Sequence, residues 1–340
     1  MRILNAICFQ GIGGVDQVFR NYNEVLEKNA HELALLISAN GHENYAQKNI
    51  FKLQHHAQVL DFLHLLWIVF RFQPDVILCH SNRLMKWMKF LRFFSRAKSV
   101  AINHGITFKH SLNCDYVVSI NQQISDLVVA AGFEKEKSLV LPNVIKIDQK
   151  FLEKKIKTPP VIGIYGRIEQ RKGFDILIAA GEILAKEGID FCLKIGGFEV
   201  PGAYNISSLK ALAQKCGILQ KCEFVGTVYD KKSFFADVDI FCVPSREEPF
   251  GIVILEGFLF STLVISSNSE GGKLLIEDGK NGVLFENEKP AQLAAKIKDV
   301  LQKRVNYSEL TRNAYLRLEK DFSFAFLEQE IEKILQKIHS

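Results

Sequence analysis

Apolar residues along this chain fall into two alternating rhythms. Short unbroken apolar runs are separated by segments whose apolar residues recur every three to four positions. The runs predict strands at Ile3–Phe9, Leu33–Ser38, Asp75–Cys79, Ser99–Asn103, Tyr116–Ile120 and Ser138–Leu141. The periodic segments predict helices at Val15–Asn29, Val59–Phe72, Asn82–Phe94 and Gln122–Ala131. Strand–helix alternation with short turns predicts a doubly wound α/β architecture with parallel sheets.

The rhythm breaks at Lys146–Pro160, a polar, Lys-rich stretch ending in Thr-Pro-Pro, which reads as a linker. It then restarts. Strands are predicted at Val161–Tyr165, Phe191–Ile195, Glu223–Val225, Ile240–Pro244 and Leu263–Ser266. Helices are predicted at Phe174–Glu187, Ser207–Cys216, Lys231–Ala236 and Gly251–Phe260. Two Rossmann-like domains follow, residues 1–150 and 151–320, with a closing segment 321–340. The last segment holds an amphipathic helix over Phe322–Ile338, with Phe326, Leu327, Ile331, Ile334, Leu335 and Ile338 at helical spacing. Ligands of open α/β sheets sit at the carboxyl ends of the strands. Two such domains suit a pair of substrates held in a cleft, one by each domain.

Composition narrows the class. The 340 residues are 48% hydrophobic and 24% charged, which excludes disorder, collagen and low complexity. The seven cysteines contain no C-x-x-C pair, and several lie in apolar runs, so they read as buried free thiols of a reducing cytoplasm. The start MRILNAICF reads as a first strand rather than a signal peptide. Val59–Phe72 carries Asp61, His64 and Arg71, and falls short of the ~20 apolar residues that a membrane span requires. The expected location is cytoplasmic, soluble or peripheral on a membrane face.

Candidate chemistry sits at the ends of the predicted strands. Gly11-Ile12-Gly13-Gly14 follows the first strand, where glycines admit a close ligand and a helix N-terminus offers N–H groups to an anion. A tight strand-to-helix turn explains it equally well. Gly166-Arg167-Ile168-Glu169-Gln170-Arg171-Lys172-Gly173 places cations after a strand and before a helix, a site for a phosphate or diphosphate without Walker A spacing. In Glu248-Pro-Phe-Gly-Ile-Val-Ile-Leu-Glu256 the two carboxylates would lie on one side of a helix, and Glu256 in its apolar company calls for a specific partner. Gly271-Gly272 opens another predicted helix. Asn103-His104-Gly105 puts a histidine at a strand end, and of the nine histidines only His104 has motif support.

Taken in order, these residues resemble the retaining glycosyltransferases of family 4, glycosyl transferases group 1, which adopt the GT-B fold. Also in the resemblance are Gln73–Ser81, Leu141-Pro142-Asn143, Pro244–Gly251 and Asp278–Gly282. The resemblance implies that Arg167 and Lys172 hold the donor's diphosphate and stabilise the leaving nucleotide. It implies that Glu256 accepts hydrogen bonds from the ribose, Glu248 contacts the transferred sugar, and His104 lies near that sugar. The amides of Gly13, Gly14, Gly271 and Gly272 would contact phosphate and sugar, with Phe250 and Gly251 completing the donor site. It implies same-face attack through an oxocarbenium-like state, with no metal and no cofactor, the nucleotide-diphosphate sugar being a substrate. The expected activity is transfer from such a donor, with UDP favoured, to a lipopolysaccharide, lipid-linked or other surface glycan. An epimerase, a glycogen-type phosphorylase or a non-catalytic sugar-nucleotide-binding protein on the same plan are the alternatives. The turn Ser261-Thr262-Leu263 and the loop after Asn143 depart from the family's usual pattern.

The net charge of +5 has a location. Residues 1–155 carry 19 Lys and Arg against 13 Asp and Glu, whereas residues 156–340 carry 24 against 25. No acid lies between Asp75 and Asp115, an interval that holds Arg83, Lys86, Lys89, Arg92, Arg96, Lys98 and Lys109. On a helical wheel Leu84, Trp87, Met88, Leu91 and Phe94 form the inward face. Met85 and Phe93 fall among the cations. With Lys86, Lys89, Arg92 and Arg96 they are the expected contacts to an anionic membrane surface. A solvated basic face is the competing explanation. No nucleic-acid-binding motif accompanies the charge.

Overall fold

The computed structural model describes residues 1–8, 14–29, 31–39, 49–53, 58–199 and 204–339. Its internal contacts divide the chain into two units, Met1–Lys146 with Phe322–Ser340, and Ile147–Asp321.

The first unit runs β1 (Arg2–Ala6), α1 (Gly14–Lys28), β2 (Glu32–Ser38), β3 (Ile50–Leu53), α2 (Gln58–Phe72), β4 (Val76–Cys79), α3 (Asn82–Leu91), β5 (Lys98–Asn103), β6 (Tyr116–Ser119), α4 (Gln122–Ala130) and β7 (Ser138–Val140). Among the described residues seven strands form one sheet in the order β3-β2-β1-β4-β5-β6-β7, every pair parallel. Strands covered on both faces read as near-continuous apolar runs, which is why Ile3-Leu4-Asn5-Ala6 and Val76–Cys79 are buried throughout. Asn5 is the polar exception, and its amide donates to Asn23 Oδ1 at 2.5 Å. The short edge strand β3 is not legible as an apolar run. The sequence order reverses between β1 and β4, so this is the sheet's switch point.

The second unit runs β8 (Val161–Ile168), α5 (Phe174–Lys186), β9 (Cys192–Glu199), α6 (Ile206–Lys215), β10 (Cys222–Gly226), α7 (Lys231–Asp237), β11 (Ile240–Val243), α8 (Ile252–Leu259), β12 (Leu263–Ser267), α9 (Glu270–Leu275), β13 (Val283–Phe285), α10 (Pro290–Leu301) and α11 (Tyr307–Asp321). Its strands form a parallel sheet in the order β10-β9-β8-β11-β12-β13, with the switch point between β8 and β11. Together these are the doubly wound parallel-sheet units that the alternation predicts.

The expected linker is not a free tether. Lys154 Nζ donates at 2.7 Å to the Phe235 carbonyl and to Thr262 Oγ1, and the Leu152 amide donates to Ser261 Oγ at 3.0 Å. The chain around Leu152 and Lys154 is therefore fastened to the second unit. After α11 the chain re-enters the first unit as α12 (Phe324–His339). Its Leu327, Ile331, Leu335 and Ile338 are buried. Glu332 accepts from the Asn29 amide at 2.9 Å and lies 2.7 Å from His31 Nε2, fixing α12 against the end of α1.

Candidate functional site

The second unit's candidate residues converge at the carboxyl ends of β8 and β11, on either side of its switch point. Strand β8 continues past its predicted end at Tyr165, so Gly166 and Arg167 are strand residues rather than loop residues. A single 3-10 turn, Gln170–Lys172, then leads through Gly173 into α5. Gly173 has φ of 71°, and a Cβ there would run into the Pro244 carbonyl oxygen. The left-handed backbone and the close approach of two loops both require glycine at this point.

That approach pairs two of the expected site residues. Lys172 Nζ lies 2.5 Å from Glu248 Oε2, both side chains being largely buried. Arg246 holds the two loops together. Its Nη1 and Nη2 make a two-pronged contact with Asp175 at 2.9 and 2.7 Å. Nη1 also donates to the Gln170 carbonyl at 2.7 Å, and the Arg246 amide donates to the Arg171 carbonyl at 2.7 Å. The same amide bond, with Ser267 Oγ donating to the Ser245 carbonyl at 2.6 Å, fixes the start of the loop that carries Glu248. The hydrogen bonds to Asp175, and then to Glu288, push the Arg246 pKa up against the opposing effect of burial.

Glu248 is not on a helix. Helix α8 begins only at Ile252, after Gly251 with φ of 93°, so the expectation that both carboxylates share one helix face is corrected. Glu248 belongs to the loop after β11, and Glu256 sits within α8. Glu256 is 5% exposed and accepts hydrogen bonds from the Tyr165 hydroxyl and the Lys231 ammonium. This is the specific partnering that a carboxylate in apolar company requires. Burial, then the charge of Glu256, pushes the Tyr165 phenol well up from its usual pKa. The Tyr165 ring packs edge-on against Phe234 and Phe235, which locks its hydroxyl toward Glu256.

Arg167 and Arg171 share one carboxylate. Glu169 lies 3.2 Å from Arg167 Nε and 2.5 Å from Arg171 Nε. Arg167 remains 44% exposed, able to swing toward an anion. Gly271 and Gly272 lie in the first turn of α9. The Gly271 amide donates to the Glu248 carbonyl at 2.6 Å, so it is engaged with the protein itself. A Cβ on Gly271 would meet the backbone of Phe250, and one on Gly272 the Ser267 carbonyl. Phe250 is buried at 3% exposure.

In the first unit, Gly13 lies outside the described residues, and Gly14 is the first residue of α1. His104 follows β5, and its Nε2 lies 3.2 Å from Nδ1 of His80, which follows β4. The rings stack with centroids 5.3 Å apart. Phe19 and Tyr22 pack edge-on against His80. Burial pushes the His104 pKa down to about 4, and burial with the neighbouring His104 pushes His80 well below the usual value.

The expected membrane contacts separate. Lys86, Lys89, Arg92, Phe93 and Arg96 are exposed, Phe93 at 73%. Met85 is not: it is 2% exposed and its sulfur accepts from Ser111 Oγ at 3.4 Å. Phe94, expected to face inward, is 54% exposed, because α3 ends at Leu91 and the helical period does not reach it. Among the described residues no group of three or more His, Cys, Asp or Glu could hold a metal ion. No described helix is long and apolar enough to cross a membrane.

The model of the family Glycosyl transferases group 1 matches residues 146–317, which contain every site residue of the second unit named above. The chain belongs to this family. Among curated proteins, this glycosyltransferase is 26% identical over 258 residues to the lipopolysaccharide core biosynthesis glycosyltransferase LpsE of Rhizobium meliloti, a match covering 74% of this chain and 73% of LpsE. It is 23% identical over 252 residues to the capsular polysaccharide biosynthesis glycosyltransferase CapM of Staphylococcus aureus, covering 73% of this chain and 63% of CapM. Among solved structures, HepE of Anabaena in complex with UDP superposes with a TM-score of 0.83 at 20% identity, covering 99% of this chain and 100% of that one. The apo form of the lipopolysaccharide outer core galactosyltransferase WaaB gives 0.80 at 17% identity, covering 99% and 100%. These likenesses show the fold, and the two parallel-sheet units are those of GT-B glycosyltransferases.

Sequence reasoning assigns no role to five residues of the candidate sites, among them Arg246, which lies unremarked inside the motif Pro244–Gly251. Tyr165 carries a signal as the residue at the strand end just before Gly166-Arg167. Lys231 and Asp175 carry none, since their partners lie 25 and 71 residues away. His80 lies within the motif Gln73–Ser81 without a role of its own, because its partner His104 is reached only through the pairing of β4 with β5.

Proposed function

We propose that this glycosyltransferase moves a sugar, with retention of configuration, from a nucleotide-diphosphate sugar to a surface glycan, as a member of family 4. The favoured donor base is uridine and the favoured acceptor a lipopolysaccharide, capsule-type or lipid-linked glycan presented at the cytoplasmic membrane face. The observation that carries the reading is the Lys172–Glu248 pair, built where an open sheet places its ligand, with Glu256 buried on α8 of the same unit. The relatives named for lipopolysaccharide and capsule synthesis, and the UDP-bound structure of like fold, support the choice of acceptor and base.

In this reading Lys172 and Arg167 hold the diphosphate, and Glu256 accepts from the ribose hydroxyls. Glu248 accepts from hydroxyls of the transferred sugar. The bond from the anomeric carbon to the diphosphate oxygen breaks, and its electron pair passes to that oxygen. The two cations stabilise the charge that develops there. The acceptor hydroxyl bonds to the anomeric carbon on the same face and gives its proton to the departing phosphate oxygen. His104 enters as a neutral imidazole whose Nε2 is held by His80. Two side-chain cations supply the charge neutralisation, so the proposed reaction is independent of metal and cofactor.

Thermal-shift titration with UDP-, GDP- and ADP-sugars tests the reading, since a ligand bound only by the folded state raises its melting temperature. A rise with UDP-sugars that Lys172→Ala abolishes is expected. The absence of a rise with any of the three would overturn the donor assignment.

A further inference from the structure

Helix α2 is apolar on both of its faces. Leu65, Ile68, Val69 and Phe72 are buried in the core of the first unit. On the opposite face Val59, Leu60, Leu63, Trp67 and Phe70 are each between 53% and 69% exposed. A surface helix of a globular unit ordinarily turns charged and polar residues outward, and a contiguous exposed apolar face marks an interaction site. The patch does not stop at α2. The Phe62 ring lies 6.4 Å from Phe90 of α3, which is 52% exposed. Phe93 and Phe94 continue the exposed apolar surface just beyond α3.

Among the described residues, the exposed charge on α2, on α3 and just beyond α3 is all positive. Arg71 on α2, Lys86 and Lys89 on α3, and Arg92 and Arg96 just beyond α3 are exposed. The single carboxylate of α2, Asp61, is 3% exposed and lies 3.1 Å from Arg83. Asp75, beyond the end of α2, accepts from the Arg2 amide at 2.7 Å. An outward apolar stripe carrying Trp and Phe, rimmed by Lys and Arg, matches the boundary between acyl chains and anionic headgroups. A second copy of the chain fits less well, because a two-fold contact sets each surface against itself and would bring like charges together.

We infer that the outer face of α2, together with Phe90, Phe93 and Phe94, is a docking surface that inserts shallowly into an anionic lipid bilayer. This keeps Phe93, replaces buried Met85 by the outer face of α2 as the main apolar contact, and leaves Lys86, Lys89 and Arg92 to meet the headgroups. It rests on the proposed membrane-presented acceptor only for its purpose. The surface itself is argued from exposure and charge.

Flotation of the full chain with vesicles of phosphatidylcholine alone, and with about a third of it replaced by phosphatidylglycerol, tests the inference. Binding to the anionic vesicles only, weakened by salt, is expected. The variant Leu60→Ser/Leu63→Ser/Phe70→Ser, altered only at exposed positions, should bind about tenfold or more weakly. Lys86→Glu/Lys89→Glu serves as a second variant that leaves α2 untouched, with a loss of about fivefold or more for each reversed charge. Of the two tryptophans Trp67 is 55% exposed and Trp87 is 6% exposed, so emission should shift to the blue on binding and the shift should vanish in Trp67→Phe. Equal binding to both vesicles, binding to neither, or undiminished binding of both variants would overturn the inference. So would a concentration-dependent dimer that the α2 variant dissolves, which would give the face to a second copy. Stabilisation by UDP is measured in parallel: a protein that UDP stabilises but that does not float loses the docking surface and keeps the donor reading, and the converse result does the opposite.

Discussion

Lys172 and Glu248, 76 residues apart in the chain, meet as a 2.5 Å ion pair with only 17% and 10% of their side chains exposed. The pair joins the loop after β8 to the loop after β11. In the proposed reaction its members serve different parts of one donor, the diphosphate and the sugar. A bound diphosphate therefore competes with Glu248 for the same ammonium. Binding would exchange a protein–protein ion pair for two protein–ligand contacts, and release the Glu248 oxygen toward the sugar.

Replacing either partner alone strands the other in a poorly solvated position. Lys172→Met and Glu248→Gln should each lower kcat/KM with the UDP-sugar by about a hundredfold or more. In urea denaturation the double variant should lose less stability than the two singles added together, with a coupling of about 1 to 3 kcal/mol. Strict additivity would show that the pair is not coupled.

Arg246 acts on this pair without belonging to it. It grips Asp175 with two nitrogens and the Gln170 carbonyl with one of them, and so sets the height of the turn that carries Lys172. Lysine keeps the charge but cannot make the two-pronged contact. Arg246→Lys should cost about 1 to 3 kcal/mol of stability in denaturant titration. It should raise KM for the donor more than it lowers kcat, because it misplaces a binding group. A fall in kcat alone would contradict that positioning role.

The architecture is legible because buried parallel strands are apolar throughout and surface helices are apolar on one stripe. Val76–Cys79 and Leu33–Ser38 can be read for that reason. Four-residue β3, with Lys52 in it, cannot. The candidate site is legible as a cluster where a motif keeps its residues close in sequence, as in Arg167–Gly173 and Glu248–Glu256. Local spacing misleads for Glu248, since Gly251 delays the helix start and leaves the carboxylate on a loop. Local spacing is also silent on partners: that Glu256 meets Lys231, or His104 meets His80, depends on which strands are neighbours. The helical wheel places Phe93 outward correctly and Met85 wrongly, because a wheel assigns angles but cannot tell where a helix stops or what packs on its flank.

The histidine pair carries a pH dependence whose sign is fixed. Burial holds the folded-state pKa of His104 at about 4, below its ordinary 6.5, and holds that of His80 well below 6.5. Below pH 6.5 the unfolded chain takes up protons that the folded chain refuses. Stability is therefore fully present above 6.5 and falls as pH drops from 6.5 toward 4, by up to about 1.4 kcal/mol per pH unit for each ring. Both tryptophans lie in the first unit, so urea denaturation followed by their fluorescence reads this unit. His80→Gln/His104→Gln should flatten the curve between pH 6.5 and 4. An unchanged slope would assign the acid sensitivity to other groups.

Gly271 provides a steric test of the loop that carries Glu248. Its amide holds the Glu248 carbonyl at 2.6 Å, and a Cβ there would collide with the Phe250 backbone. Backbone cannot swing aside as a flexible side chain does, so Gly271→Ala must push α9 and the loop apart. The expected cost is about 1 to 3 kcal/mol of stability, with a donor affinity about tenfold or more weaker as Glu248 and Lys172 lose their registry. Gly105→Ala is the matched control for stability: among the described residues nothing lies within 4 Å of its Cβ, and its stability should change by less than about 0.5 kcal/mol. Thermal denaturation with and without UDP separates the two effects. If Gly271→Ala kept both its melting temperature and its response to UDP, the loop would not depend on this contact.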